Sequence, residues 1–171
     1  MKKSIVLLLI TLLAGTISAQ NNKSKIRYSS LLPMSSSILK NIKNNNFPPY
    51  VKKTAKGLMA DGKFKFVILE NMSILVPTEF ANAEHESEYS TFFKKVEEIR
   101  KEDGSMFCTY CSCGSGSSWS EGDNCQPVQR SDGLHCEGGC IGENQGKTCS
   151  FTQVHYPPVG GGSPRSREVS F

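Results

Sequence analysis

The chain has 171 residues, of which 20 are basic, 16 acidic and seven cysteine, for a formal net charge of +4. Its one long apolar run, residues 5–13, falls well short of the roughly 20 residues that a bilayer-spanning helix needs, so no transmembrane anchor is expected. A charge so near balance excludes a partner chosen by overall basicity, and no nucleic acid is expected.

Residues 1–19 place Lys2 and Lys3 before that run and end in small residues at Ala19, the pattern of a secretory signal peptide. Cleavage there leaves 18 basic and 16 acidic residues on a protein secreted or extracytoplasmic, in a periplasm or at a cell surface. The next segment is basic. Residues 20–60 hold Lys23, Lys25, Arg27, Lys40, Lys43, Lys52, Lys53 and Lys56 and no acid, whereas residues 61–104 hold ten acids against six bases. Such an arm offers contact with an anionic surface. Without interleaved aromatics it also reads as a solvated arm pairing loosely with the acidic segment. Ile38, Leu39 and Ile42 give one apolar helical turn, which Asn44, Asn45, Asn46, Pro48 and Pro49 end, so residues 20–50 are expected to be a poorly ordered arm.

Residues 51–104 read as a small α+β body. Gly57-Leu58-Met59-Ala60 leads through Asp61-Gly62, a favoured hairpin dipeptide, into the strand-like Lys63-Phe64-Lys65-Phe66-Val67-Ile68-Leu69. A turn at Glu70-Asn71 returns Ser73-Ile74-Leu75-Val76 alongside, giving a short antiparallel meander stopped by Pro77. The period then lengthens to that of a helix. Tyr89, Phe92, Phe93, Val96 and Ile99 share one face, Glu97 and Lys101 are spaced for a favourable pair, and Gly104 suits a C-terminal cap. Thr78, Asn82 and Ser87 are candidate N-caps.

All seven cysteines, Cys108, Cys111, Cys113, Cys125, Cys136, Cys140 and Cys149, fall in residues 105–150, a segment with no apolar periodicity. It is expected to be an irregular cysteine-rich module organised by cross-links, followed by a flexible tail at 151–171. Export favours disulfides, and with seven cysteines one is left over, but the spacing does not fix the connectivity. The alternative is an extracytoplasmic zinc or copper site built from Cys108, Cys111, Cys113, His135, Cys136 and Cys140. A redox role for Cys108-Thr109-Tyr110-Cys111 needs a helix N-terminus to lower a thiol pKa, and the Gly- and Ser-rich sequence that follows is a poor helix.

The remaining motifs fall short of chemistry. Residues 142–148 resemble a phosphate loop but are one residue short between the glycines, and His85-Glu86-Ser87-Glu88-Tyr89 lacks the second histidine of a zinc-protease helix. His85, His135 and His155 are scattered, no nucleophile elbow accompanies a serine, and Glu97 and Glu98 read as a solvated helix face. Trp119, Tyr110 and Phe107 are expected to pack on disulfides. The sequence therefore predicts a secreted, disulfide-stabilised binding or interaction protein, not an enzyme and without a cofactor, with its partner unknown.

Overall fold

The computed structural model describes residues 26–43, 47–97, 104–114, 122–158, 160 and 162–169. The expected signal peptide, Lys23, Lys25, Ile99, Lys101 and Trp119 lie outside the described residues. The architecture is mixed α+β and rich in strands.

Its centre is the hairpin of β5 (Phe64–Leu69) and β6 (Met72–Pro77), which pair antiparallel with Leu69 opposite Met72. The expected turn at Glu70-Asn71 joins them, and Glu70 takes a φ of 53°, the left-handed region that a two-residue hairpin turn uses. Both faces of the hairpin are apolar. Phe64, Phe66, Ile68 and Leu75 point into one cluster; Val67, Met72, Ile74 and Val76 point into another. A strand apolar on both sides needs cover on both sides, and the rest of the chain supplies it.

The hairpin is extended into a six-stranded sheet by β1 (Arg27–Ser29), β7 (Met106–Cys113), β10 (Cys149–Tyr156) and β11 (Arg165–Glu168), in the order β1-β5-β6-β7-β10-β11. Every neighbouring pair is antiparallel except β6 with β7. Parallel neighbours need a crossover, which is α2 (Glu86–Glu97), reached through 3-10 turns at Thr78–Phe80 and Ala83–His85. Asn82 caps the second turn by accepting from the Glu84 amide. Tyr89, Phe92, Phe93 and Val96 seat α2 on the face of Val67, Ile74 and Val76, as the helical spacing predicts. Beside α2, on the same face, lies a separate hairpin, β8 (Gln126–Arg130) with β9 (Gly133–Glu137).

The opposite face is covered by α1 (Ser36–Asn41) and a small sheet of β2 (Leu31–Pro33), β3 (Val51–Thr54) and β4 (Gly57–Ala60), ordered β2-β4-β3. Leu32, Ile38, Leu39, Ile42, Val51 and Leu58 pack there against Phe64, Phe66 and Ile68. Fully burying a side chain of this size contributes about 1.5–3 kcal/mol. Ser35 caps α1 by accepting from the Ile38 amide at 3.3 Å.

This arrangement corrects several expectations. The arm expected to be poorly ordered at 20–50 is folded where it is described, because Leu32, Ile38, Leu39 and Ile42 cover a face of the main sheet that would otherwise be wet. Asp61-Gly62 is not a hairpin turn: β4 pairs with β2 and β3, while β5 pairs with β1 and β6, so the chain there passes from one layer to the next. The main sheet also runs across the boundary expected at Gly104, with Met72, Ser73 and Ile74 in register with Phe107, Cys108 and Thr109. The tail expected to be flexible at 151–171 contributes most of β10 and all of β11.

Candidate functional site

Side chains alternate between the faces of a strand, and this decides what the cysteines of β7 can do. Cys108 faces the α1 layer, while Cys111 and Cys113 face the α2 layer. The latter two are bridged to Cys136 in β9 and to Cys140 just beyond it, and Cys125, before β8, is bridged to Cys149 at the start of β10. Cα separations are 5.4, 5.6 and 5.5 Å, within the range that a disulfide spans without moving the backbone. The six pair first with fourth, second with fifth and third with sixth. Each closed loop therefore contains one end of both other bridges. Cys113 and Cys149 are register partners on adjacent strands, so the bridges converge where β7 and β10 meet and clamp the β8–β9 hairpin to the sheet.

Backbone and polar contacts finish the clamp. Gly138 has a φ of 133°, and a Cβ there would lie 2.2 Å from the Asn124 carbonyl oxygen, so only glycine lets the chain pass and return Cys140 to Cys113. Buried Asp123 accepts from the Ile141 amide at 2.9 Å and from Asn144 Nδ2 at 2.5 Å, and Lys147 Nζ donates to Asn144 Oδ1 at 2.7 Å. The lysine of the near phosphate loop is thus engaged within its own loop. From the opposite layer, the Tyr50 hydroxyl donates to the Cys125 carbonyl at 3.1 Å, and its ring packs on Phe64 at 4.5 Å.

The proposed metal ligands are not brought together. Cys108 lies across the sheet from Cys111 and Cys113, and His135 and Cys136, adjacent in β9, point to opposite sides. Four of the six candidates are half-cystines, and among the described residues no group of three His, Cys, Asp or Glu side chains is placed to hold a metal. Cys108 and Cys111 are likewise separated for redox exchange, and they sit in a strand rather than at a helix N-terminus. Phe107 stacks on His155 at 4.7 Å, and the Tyr110 hydroxyl meets that of Tyr156 at 3.1 Å. His85 packs on Phe80 and lies 3.2 Å from Glu88 Oε1. Glu98 lies outside the described residues.

What the sequence did not signal is a groove where the β8–β9 turn overhangs α2. Ser87, Glu88, Thr91, Phe92 and Lys95 line it from the helix, and Gln129, Ser131, Asp132 and Gly133 from the hairpin, around a cavity of about 500 Å³. Each carboxylate has a histidine neighbour, Glu88 with His85 and Asp132 with His135 Nε2 at 2.9 Å. The His135 hydrogen bond holds the Asp132 carboxyl below its ordinary pKa. Helical spacing of Ser87, Thr91 and Lys95 was the one available clue, but the facing hairpin is placed by bridges whose pairing the sequence does not fix.

Among the described residues no helix is long and apolar enough to cross a membrane. No protein-family model, curated protein or solved structure matches the chain.

Proposed function

We propose that the chain is an exported, disulfide-clamped binding protein without a catalytic step, and that its ligand lies in the groove between α2 and the β8–β9 turn. The observation that carries this reading is the convergence of three interleaved bridges, which fixes the hairpin wall of the groove to the sheet on which the α2 wall packs. Preorganisation of this kind lowers the entropy cost of binding, and bridges of this kind persist outside the cytoplasm. The lining supports binding, since charged and polar side chains from both walls face one cavity.

Lys95 and the carboxylates of Glu88 and Asp132 present both signs of charge, with hydroxyls and the Gln129 amide between them. That chemistry fits a zwitterionic ligand of the size of a short peptide. The test is a titration of oxidised protein from the extracytoplasmic fraction with a dipeptide panel, followed by backbone amide shifts. Shifts confined to residues 87–95 and 129–133, and lost in Asp132→Ala, are expected. A protein found reduced in the cytoplasm, or one whose groove amides do not respond, contradicts the reading.

A further inference from the structure

The layer opposite the groove carries a second feature. The register places Leu31, Met59 and Lys52 in one row across the outer face of the β2-β4-β3 sheet. Met59 is 45 % exposed and, with Ile141, is one of two large apolar side chains so exposed among the described residues. Lys52 and Lys56 are exposed around it, and Lys53, in register with buried Leu58, is exposed at the sheet's edge. Lys53 Nζ donates to the Ile42 carbonyl at 2.8 Å, holding α1 along the sheet's edge, where Lys40 and Lys53 line one cavity with Thr54. Lys43 follows, exposed, and Arg27 is in register with Ile68, whose face of the main sheet meets this layer.

One acid, Asp61, borders this layer at the end of β4 and accepts from the Lys63 amide at 3.0 Å. The chain has none before Asp61, and Glu79, Glu84, Glu86 and Glu88 belong to α2 and the turns leading to it. The fold therefore gathers the described basic residues of the expected arm on one side of the main sheet, while Glu79, Glu84, Glu86 and Glu88 lie with Lys94 and Lys95 on the other.

We propose that this face docks on an anionic lipid surface. Lysine is a compact, strongly hydrated point charge suited to diffuse attraction, where arginine's fork suits recognition of individual anionic groups. A soluble polyanion would use the lysines alone. A lipid surface uses Met59 and Leu31 as well, since apolar side chains enter the headgroup boundary while lysines remain among the anionic headgroups.

The experiment is cosedimentation of a chain beginning at Gln20, which retains every described element and lacks the apolar stretch that would partition by itself. Vesicles of phosphatidylcholine alone are compared with vesicles containing about one-third phosphatidylglycerol, and dextran sulfate serves as the soluble polyanion. Binding to the anionic vesicles alone is expected, weakening as NaCl rises from about 0.05 to 0.5 M. The triple variant Lys40→Glu, Lys52→Glu, Lys56→Glu should bind more than about tenfold more weakly. Met59→Ser should weaken vesicle binding about threefold and leave dextran sulfate binding unchanged. Circular dichroism confirms that each variant is folded, and Lys52→Glu alone replaces the triple if it is not. Equal binding to both vesicle types, no response to the lysine changes, or a Met59→Ser variant that binds vesicles like the parent overturns the proposal; the last, with dextran sulfate bound, assigns the face to a soluble polyanion.

Discussion

Cys108 is fully buried between the main sheet and the α1 layer, and it is the free cysteine among the described residues. Burial pushes its thiol up to about 12, against an ordinary value of 9.0, and a hydrogen bond with Ser73 lowers it only in part. Thiolate is the reactive form, so this side chain acts as a small hydrophobe. Alkylation of the native, unreduced protein at pH 8 should leave Cys108 unmodified, and unfolding without reductant should release one equivalent of thiol. Labelling in the folded state would show that the α1 layer opens. The shift also sets a pH dependence. The folded state holds the proton more tightly, so the stability linked to Cys108 is intact below pH 9 and is lost between pH 9 and 12. Cys108→Ala should make the fall shallower, most clearly between pH 9 and 10, since above pH 10 the buried Tyr50, Tyr89, Tyr110 and Tyr156, whose hydroxyls burial also pushes up from 10.0, add to the loss.

At the scale of elements, the β8–β9 hairpin is too short to be stable alone, and its position depends on the bridges. Replacing Cys111 and Cys136 together by alanine removes the link from β7 to β9 and should cost about 2–3 kcal/mol, read as a lower urea midpoint. A shift below about 0.5 kcal/mol would mean that the other two bridges and the Asp123 loop fix the hairpin unaided. The same elements mark where the sequence was legible. β5, β6 and α2 announced themselves because apolar residues recur at their own periods. β7 did not, because three of its buried positions are Cys108, Cys111 and Cys113, where cysteine, bridged or free, stands beside Phe107 and Tyr110 as the apolar residue. Its polar Thr109 and Ser112 are also buried, as happens to a strand covered on both faces. The groove was illegible for a related reason: its walls are 34 or more residues apart in sequence and are brought together by a connectivity that spacing does not determine. The α1 layer was hidden by its surface, since Lys40, Lys43, Lys52 and Lys53 surround the few residues that pack.

At the scale of the molecule, the central claim is that the cysteine-rich segment and the α+β body form one cooperative unit. β7 and β10 are interior strands of the sheet that contains β5 and β6. Cys111, Cys113 and Cys125 share a cluster with Tyr89, Phe92, Phe93 and Val96 of α2. The slowest-exchanging amides report global unfolding, so loss of the bridges should be felt wherever that cluster reaches. Amide hydrogen exchange with and without a non-denaturing reductant tests this most directly. The account predicts that reduction lowers protection in α2 and β6 by the same factor as in β7 and β10. Full protection of residues 64–97 alongside free exchange in residues 106–156 would contradict it, and would show that the sheet divides at Gly104.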